Sequence, residues 1–303
     1  MSPSSLDVAD LEIEVRPVLQ ARAGLAEGPH WWQEKHLLVW VDIEASTIGL
    51  FDPSTGRNRD LPIGSHVGCA VPTASGDLLA ATATGFFRVD PRNGDLTPLH
   101  HPEQHKPGNR FNDGKCDPWG HFWAGTMAYD FSPGAGALWR LGTDGHSHCA
   151  RDNLSISNGL AWSLDHRWLY LIDSPTLQVM RIPLAPDGQL AGAASCCVEI
   201  PASWNCLPDG MTIDNQGMLW IALFGGGAVT RWNPGNGEHL ATLRLPCQQV
   251  TSCCFGGPVL DELFITTARR NLTAAELEQE PLAGSLFVAE PGVCGAPTRS
   301  FAG

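Results

Sequence analysis

The sequence has no long apolar run. Over 303 residues nothing approaches the ~20 apolar positions that a membrane-spanning helix needs. A secretory leader is not expected either, because residues 1–15 are rich in Ser, Asp and Glu, with no basic start followed by an apolar stretch. The expected location is therefore cytoplasmic. Positive charge is scarce: 19 Lys and Arg stand against 32 Asp and Glu, a formal net charge of −13. Such a surface repels phosphate backbones and anionic lipids, so neither nucleic acid nor membrane is an expected partner. It is compatible with a site that holds a cation. The ten cysteines include no Cys-x-x-Cys pair and no Cys/His array with zinc spacing. Without an export signal they read as reduced, buried, structural thiols. No Gly-x-Ser-x-Gly elbow is present, which disfavours a serine nucleophile.

What is plentiful is glycine (33) and proline (23), while charged residues make up only 17%. That balance suits many short strands joined by tight turns better than long helices. Apolar runs recur at 38–42, 78–81, 122–125, 169–173, 219–222 and 263–266, about 40 to 50 residues apart. Each is followed by a second strand-like run, as in Ile48-Gly49-Leu50-Phe51 and Val229-Thr230-Arg231-Trp232. Turns of one type often come next, at 52–56, 90–94 and 233–237, each opening on Asp or Asn followed by Pro and closing on Gly. A repeat of this length, with about four short strands per unit, is the signature of a propeller blade. The predicted fold is all-β: one six-bladed β-propeller over residues 11–303 around a central channel, after a tail at 1–10. The segment 11–15 is expected to pair with the last blade and close the ring, since a free edge strand is a liability. Residues 273–280 read as a short helix with Thr273 as its N-cap.

About ten to twelve residues before each apolar run should lie the strand that lines the channel. At that phase stand Glu27-Gly28-Pro29, Asn112-Asp113-Gly114, Asn158-Gly159-Leu160 and Asp209-Gly210-Met211. Repeats two and six carry Gly68-Cys69-Ala70 and Ser252-Cys253-Cys254 instead. Equivalent positions of a propeller point at one axis, so Glu27, Asn112, Asn158 and Asp209 should converge. Two carboxylates and two amide oxygens form a hard-oxygen cage suited to Ca²⁺, Mg²⁺ or Mn²⁺. Polar caps on strand ends are the competing reading for each residue taken singly. The histidines, His30, His66, His121, His146 and His166 among them, show no ligand spacing and read as solvent-facing or structural, a place near the site for His30 or His66 being the minor alternative.

Five motifs in order make the pattern recognisable: Ala26-Glu27-Gly28-Pro29-His30-Trp31; Arg110-Phe111-Asn112-Asp113-Gly114-Lys115 with Gly125-Thr126-Met127; Ser157-Asn158-Gly159-Leu160-Ala161-Trp162-Ser163; Pro208-Asp209-Gly210-Met211; and Thr251-Ser252-Cys253-Cys254-Phe255-Gly256-Gly257. Together these resemble the SMP-30/regucalcin/gluconolactonase family, over roughly residues 15–290. The resemblance implies a six-bladed propeller that hydrolyses sugar lactones to aldonic acids with one divalent metal ion. Ca²⁺ is the first expectation, with Zn²⁺, Mn²⁺, Mg²⁺ or Fe²⁺ as alternatives. It implies Glu27, Asn158 and Asp209 as metal ligands and Arg110 and Asn112 as substrate-binding residues, which moves Asn112 from ligand to neighbour. A further substrate-contacting acid of some members falls near Asp130, where this chain reads Ala128-Tyr129-Asp130-Phe131, a departure from the family pattern. Asp209 is the expected catalytic proton acceptor. The expected partner is a small sugar lactone, and the expected state a monomer or weak homo-oligomer. Two other functions stand beside this one: a metal-dependent aryl-esterase or organophosphate hydrolase, and a non-catalytic calcium-binding propeller.

Overall fold

The computed structural model describes residues 10–303. They form six four-stranded antiparallel sheets, and five of these are consecutive in sequence from inner to outer strand. Their inner strands are Ala26–Trp32, Val67–Pro72, Asn109–Cys116, Ser157–Trp162 and Leu207–Ile213, with Val250–Gly256 in the sixth. This is the expected six-bladed propeller. No helix among the described residues is long and apolar enough to cross a membrane. The expected helix is present as Ala274–Gln279, with Thr273 and Glu276 forming a reciprocal capping box.

The apolar runs bury themselves between blades rather than within them. One cluster joins Val39, Val41 and Ile48 of blade one to Val67, Ala70 and Leu78 of blade two. Another joins Trp220 and Val229 of blade five to Phe255, Leu263 and Ile265 of blade six. A blade has two apolar faces, and only a ring covers both, so closure is where the burial energy is completed.

Ring closure departs from expectation in its details. The strand that completes blade six is Arg16–Leu19, paired antiparallel with Leu286–Ala289. The segment 11–15 lies alongside instead, with Leu11, Ile13 and Val15 packed on the cluster of blades five and six. Its alternating Leu, Ile and Val side chains find an apolar surface there, which leaves the pairing edge to the next four residues. Of the expected tail at 1–10, all but Asp10 lies outside the described residues. Asp10 itself bridges to Thr242.

Two buried carboxylates serve the fold alone. Asp117 ends the inner strand of blade three and accepts from the backbone N–H of Trp119 and His121 and from the Trp123 indole. Asp214 repeats this in blade five with Gln216, Met218 and Trp220, and pairs with Arg231 at 2.7 Å. Each carboxylate is fully satisfied by its own blade. None of the ten cysteines is disulfide-bonded. Cys149 and Cys196 are exposed, contrary to the expectation of buried thiols, because both lie on outermost strands, Ser147–Leu154 and Ser195–Glu199, which face solvent.

Candidate active site

The inner strands do not run straight. Their register with the second strand breaks between Glu27 and His30, between Phe111 and Gly114, between Ser157 and Leu160, and between Pro208 and Met211. The extra residues at these bulges leave the ladder, which re-aims their side chains. Glu27, Asn112, Asn158 and Asp209 all stand at such breaks. The glycines that follow let the strands press together. A Cβ on Gly159 would lie 2.7 Å from the Asp209 carbonyl oxygen, and one on Gly210 would lie 2.0 Å from Ser252 Oγ.

One pocket of about 160 Å³ collects the result. The buried Glu27, Arg110, Asn112, Asn158, Ser174 and Asp209 line its floor, Leu25, Met127, Phe131, Ile156, Leu207 and Phe224 form an apolar wall, and Arg270 and the exposed Asn271 complete the lining. That volume is below the ~300–1,000 Å³ of drug-sized ligand sites, so the pocket selects a small molecule. A hollow of about 590 Å³ opens at the other end of the channel, bordered by Trp32, Trp119 and Arg299, with Glu34 as its one, exposed, carboxylate.

The floor gathers buried acceptors. Glu27 and Asp209 are buried, at 5% and 7% exposure. Burial, with the Asp209 and Asp113 charges behind it, holds the Glu27 carboxyl well above the usual carboxylate range. Asp209 is pushed up likewise by burial and then by Asp113, while the Asn158 side chain and Arg110 pull it down. Asn158 Oδ1 and Asp209 Oδ1 are buried without a hydrogen-bond partner. Like charges held together, with acceptors left unsatisfied, fit a hard divalent ion that would neutralise the first and occupy the second. Among the described residues no three His, Cys, Asp or Glu side chains are placed to share an ion; this set is two carboxylates and one amide.

The surrounding residues hold that floor. Asn158 Nδ2 donates to Ser174 Oγ at 3.0 Å, and Ser174 Oγ donates to the Pro208 carbonyl at 2.7 Å. Arg110 Nη1 donates to Asn112 Oδ1 at 2.8 Å and to the Phe111 carbonyl, while Asn112 Nδ2 donates to the Ser157 carbonyl. Both ends of the Asn112 amide are thus engaged within the protein, which fits a place beside the ligand set rather than in it. Burial lowers the Arg110 guanidinium to about 10, with Arg270 next in effect. Asp42 caps the chain entering the strand of Glu27 through Gly24 and Leu25 N–H, and Asp173 does the same for Asn158 through Ser155 and Ile156.

Asp130 does not join the site. Its carboxylate is exposed and accepts from Ser132 N–H, and it is absent from the pocket lining. Of its neighbours, Phe131 lines the wall at the pocket's rim under the Arg270 guanidinium, while the Tyr129 hydroxyl, outside the lining, is 3.0 Å from His66 Nδ1. Arg270 also reaches Glu44 at 3.2 Å. Of the two histidines considered, His66 is at this rim. His30 is buried deeper in its strand, where desolvation and then the Lys115 charge hold it neutral, at about 3. Ser174, Arg270 and the Tyr129–His66 pair carry no repeat phase, so periodicity could not find them.

The profile described as the SMP-30/Gluconolactonase/LRE-like region matches residues 25–269. A Bacillus subtilis protein assigned as the sugar lactone lactonase YvrE is 37% identical, over 94% of this chain and 98% of its own length. Regucalcin of Danio rerio is 38% identical, over 96% of this chain and 99% of its own. The crystal structure of a calcium-binding regucalcin from Agrobacterium tumefaciens superposes with a TM-score of 0.91 at 27% identity, covering 95% of this chain and 97% of that one.

Proposed function

This chain belongs to the SMP-30/gluconolactonase/LRE-like family, and from that premise we propose that it hydrolyses sugar lactones to aldonic acids at one divalent ion held by Glu27, Asn158 and Asp209. The observation that carries the reading is the convergence of two like-charged buried carboxylates and unpartnered oxygens in one small pocket beside Arg110 and Asn112. The lactonase name of the Bacillus subtilis relative and the gluconolactonase name of the family support the reaction class, and a calcium-binding relative supports Ca²⁺ as the first candidate.

When bound, such an ion supplies Lewis-acid polarisation of a carbonyl oxygen and acidifies water at its open positions. The chain's own groups do the rest. Asp209 accepts the proton that water loses as its oxygen attacks the lactone carbonyl carbon. The ring C–O bond then breaks, the ring oxygen leaves with a proton returned by Asp209, and the new carboxylic acid releases its remaining proton to solvent to give the carboxylate product. Arg110, whose charge burial weakens only in part, donates to the carbonyl or to a ring hydroxyl. The apolar wall of Leu25, Met127, Phe131, Ile156, Leu207 and Phe224 sheds water from the far side of the substrate.

That same wall favours a second reading, hydrolysis of aryl esters or organophosphates. A panel of five- and six-membered aldonolactones, an unsubstituted lactone and an aryl ester, assayed with chelator and with metal added back, separates them. The proposal expects metal-restored turnover that is fastest on an aldonolactone. Preference for the aryl ester would hand the site to the second reading, and metal binding without any turnover would make the chain a calcium-binding propeller.

A further inference from the structure

We infer that Ser174 is a positioning residue of the ion site, because its hydroxyl dictates which end of the Asn158 amide faces the pocket. The inference rests on the metal reading above and adds a residue to it. Ser174 is 2% exposed and begins the short 3₁₀ turn Ser174–Thr176 that leaves the second strand of blade four. Its oxygen lies 2.7 Å from the Pro208 carbonyl and 3.0 Å from Asn158 Nδ2.

A hydroxyl has one hydrogen, and a carbonyl can only accept. The Pro208 carbonyl therefore takes the Ser174 hydrogen, and only lone pairs remain on the Ser174 side facing Asn158. An amide oxygen turned toward those lone pairs would be repelled, so the amide must present its NH₂ there. That leaves Asn158 Oδ1 on the opposite side, the buried atom that has no partner in the protein. The Asp209 carboxylate also accepts from the Asn158 side chain, and a carboxamide flipped by half a turn would face Ser174 with its oxygen and offer hydrogens where an ion needs an electron pair. Pro208 directly precedes Asp209, so one hydroxyl ties the amide ligand of blade four to the backbone beside the carboxylate ligand of blade five. Asn112 and Asn158 both give their NH₂ to an acceptor from a neighbouring segment, but that acceptor is the Ser157 backbone carbonyl for Asn112 and a replaceable side-chain hydroxyl, Ser174 Oγ, for Asn158.

The test reads ion affinity directly, with Ca²⁺ and Mn²⁺ titrated calorimetrically into metal-free protein and no substrate present. Ser174→Ala removes the lock, and Ser174→Cys keeps the volume while replacing the hydroxyl with a weakly hydrogen-bonding thiol. Both should bind the ion about 10–100-fold more weakly, the usual effect of losing a group that orients a ligand. Ser174→Thr, which restores the hydroxyl, should recover most of the affinity. In an Asn158→Asp background the two oxygens are equivalent and no orientation exists to lose, so adding Ser174→Ala should change affinity by less than about twofold, the non-additive result expected of two residues that act through one contact. Wild-type affinity in the Ala and Cys variants would overturn the positioning role and leave the metal reading standing. An equal loss in the Asn158→Asp background would also overturn it, because Ser174 would then merely support the fold. A wild-type protein that binds neither ion would overturn the metal reading itself.

Discussion

Glu27 and Asp209 share a charge, a depth and an upward-shifted carboxyl, yet the proposal asks different things of them. Glu27 accepts from its neighbour's backbone, Gly28 N–H at 3.1 Å, which leaves it the role of a fixed ligand. Asp209 has an oxygen with no partner at all, the state expected of a group that both ligates and takes a proton. Glu27→Gln keeps the shape and removes one charge, so it should weaken ion binding and regain activity at high metal. Asp209→Asn also removes the acceptor, and at saturating metal it should remain slow by about 10²–10⁴-fold, the usual contribution of a positioned base. Rescue of Asp209→Asn to near wild-type turnover would leave the carboxylate a ligand only. At this scale the sequence showed the carboxylates and amides, because their phase repeats. It could not show that both ends of Asn112 are already engaged, since one partner, the Ser157 carbonyl, is 45 residues away. Nor could it show that Asp130 bonds to its own loop while Phe131 lines the pocket and Tyr129 meets His66.

At the scale of the element, the working unit is a bulged inner strand followed by a glycine. The recurrence of apolar runs was legible, and with it the blade count, as were the helix cap and the turn positions. The bulges were not, because a bulge is a relation between two strands, although the glycines were its visible trace. Gly210 offers a direct test. Its backbone is not in the left-handed region, so the cost of a side chain there is contact alone: a Cβ would meet Ser252 Oγ at 2.0 Å and Ser252 Cα at 2.8 Å. Gly210→Ala must therefore spread the inner strands of blades five and six, at roughly the 1–3 kcal/mol of an overpacked core. Gly108→Ala, with nothing within 4 Å of its Cβ, is the matched control and should be neutral or slightly stabilising. Denaturant midpoints give the comparison, and equal stability of the two variants would mean that the strands are not in close contact at the axis.

The whole molecule is a ring that must be fastened, and it is fastened twice. The first fastening is the strand Arg16–Leu19 on the edge of blade six. The second is the C-terminal segment, which repetition in the sequence gave no reason to expect. Asn215 N–H of blade five donates to the Cys294 carbonyl, and Gly295 N–H donates to the Leu260 carbonyl of blade six. A few residues later Phe301 exchanges backbone bonds with Pro72 and Ala74 of blade two, and Ala302 N–H donates to the Gly120 carbonyl of blade three. Blades two and three stand opposite blades five and six in a six-membered ring, so this segment crosses the channel at the end away from Glu27 and Asp209. Its anchor is the Phe301 ring, 1% exposed and packed with Phe86, Phe111, Phe122 and Leu141. Burying one aromatic side chain this completely places the tail inside the core between blades two and three rather than on the surface. Phe301→Ala should therefore cost about 3–5 kcal/mol, the range for a fully buried Phe, and a chain ending at Pro297 should lose at least as much, since it forfeits the cross-ring hydrogen bonds as well. Equilibrium urea unfolding of the metal-free protein reads both losses without help from a bound ion. If the two variants unfold within about 0.5 kcal/mol of wild type, as surface changes do, the tail contributes nothing to closure and the strand Arg16–Leu19 holds the ring alone.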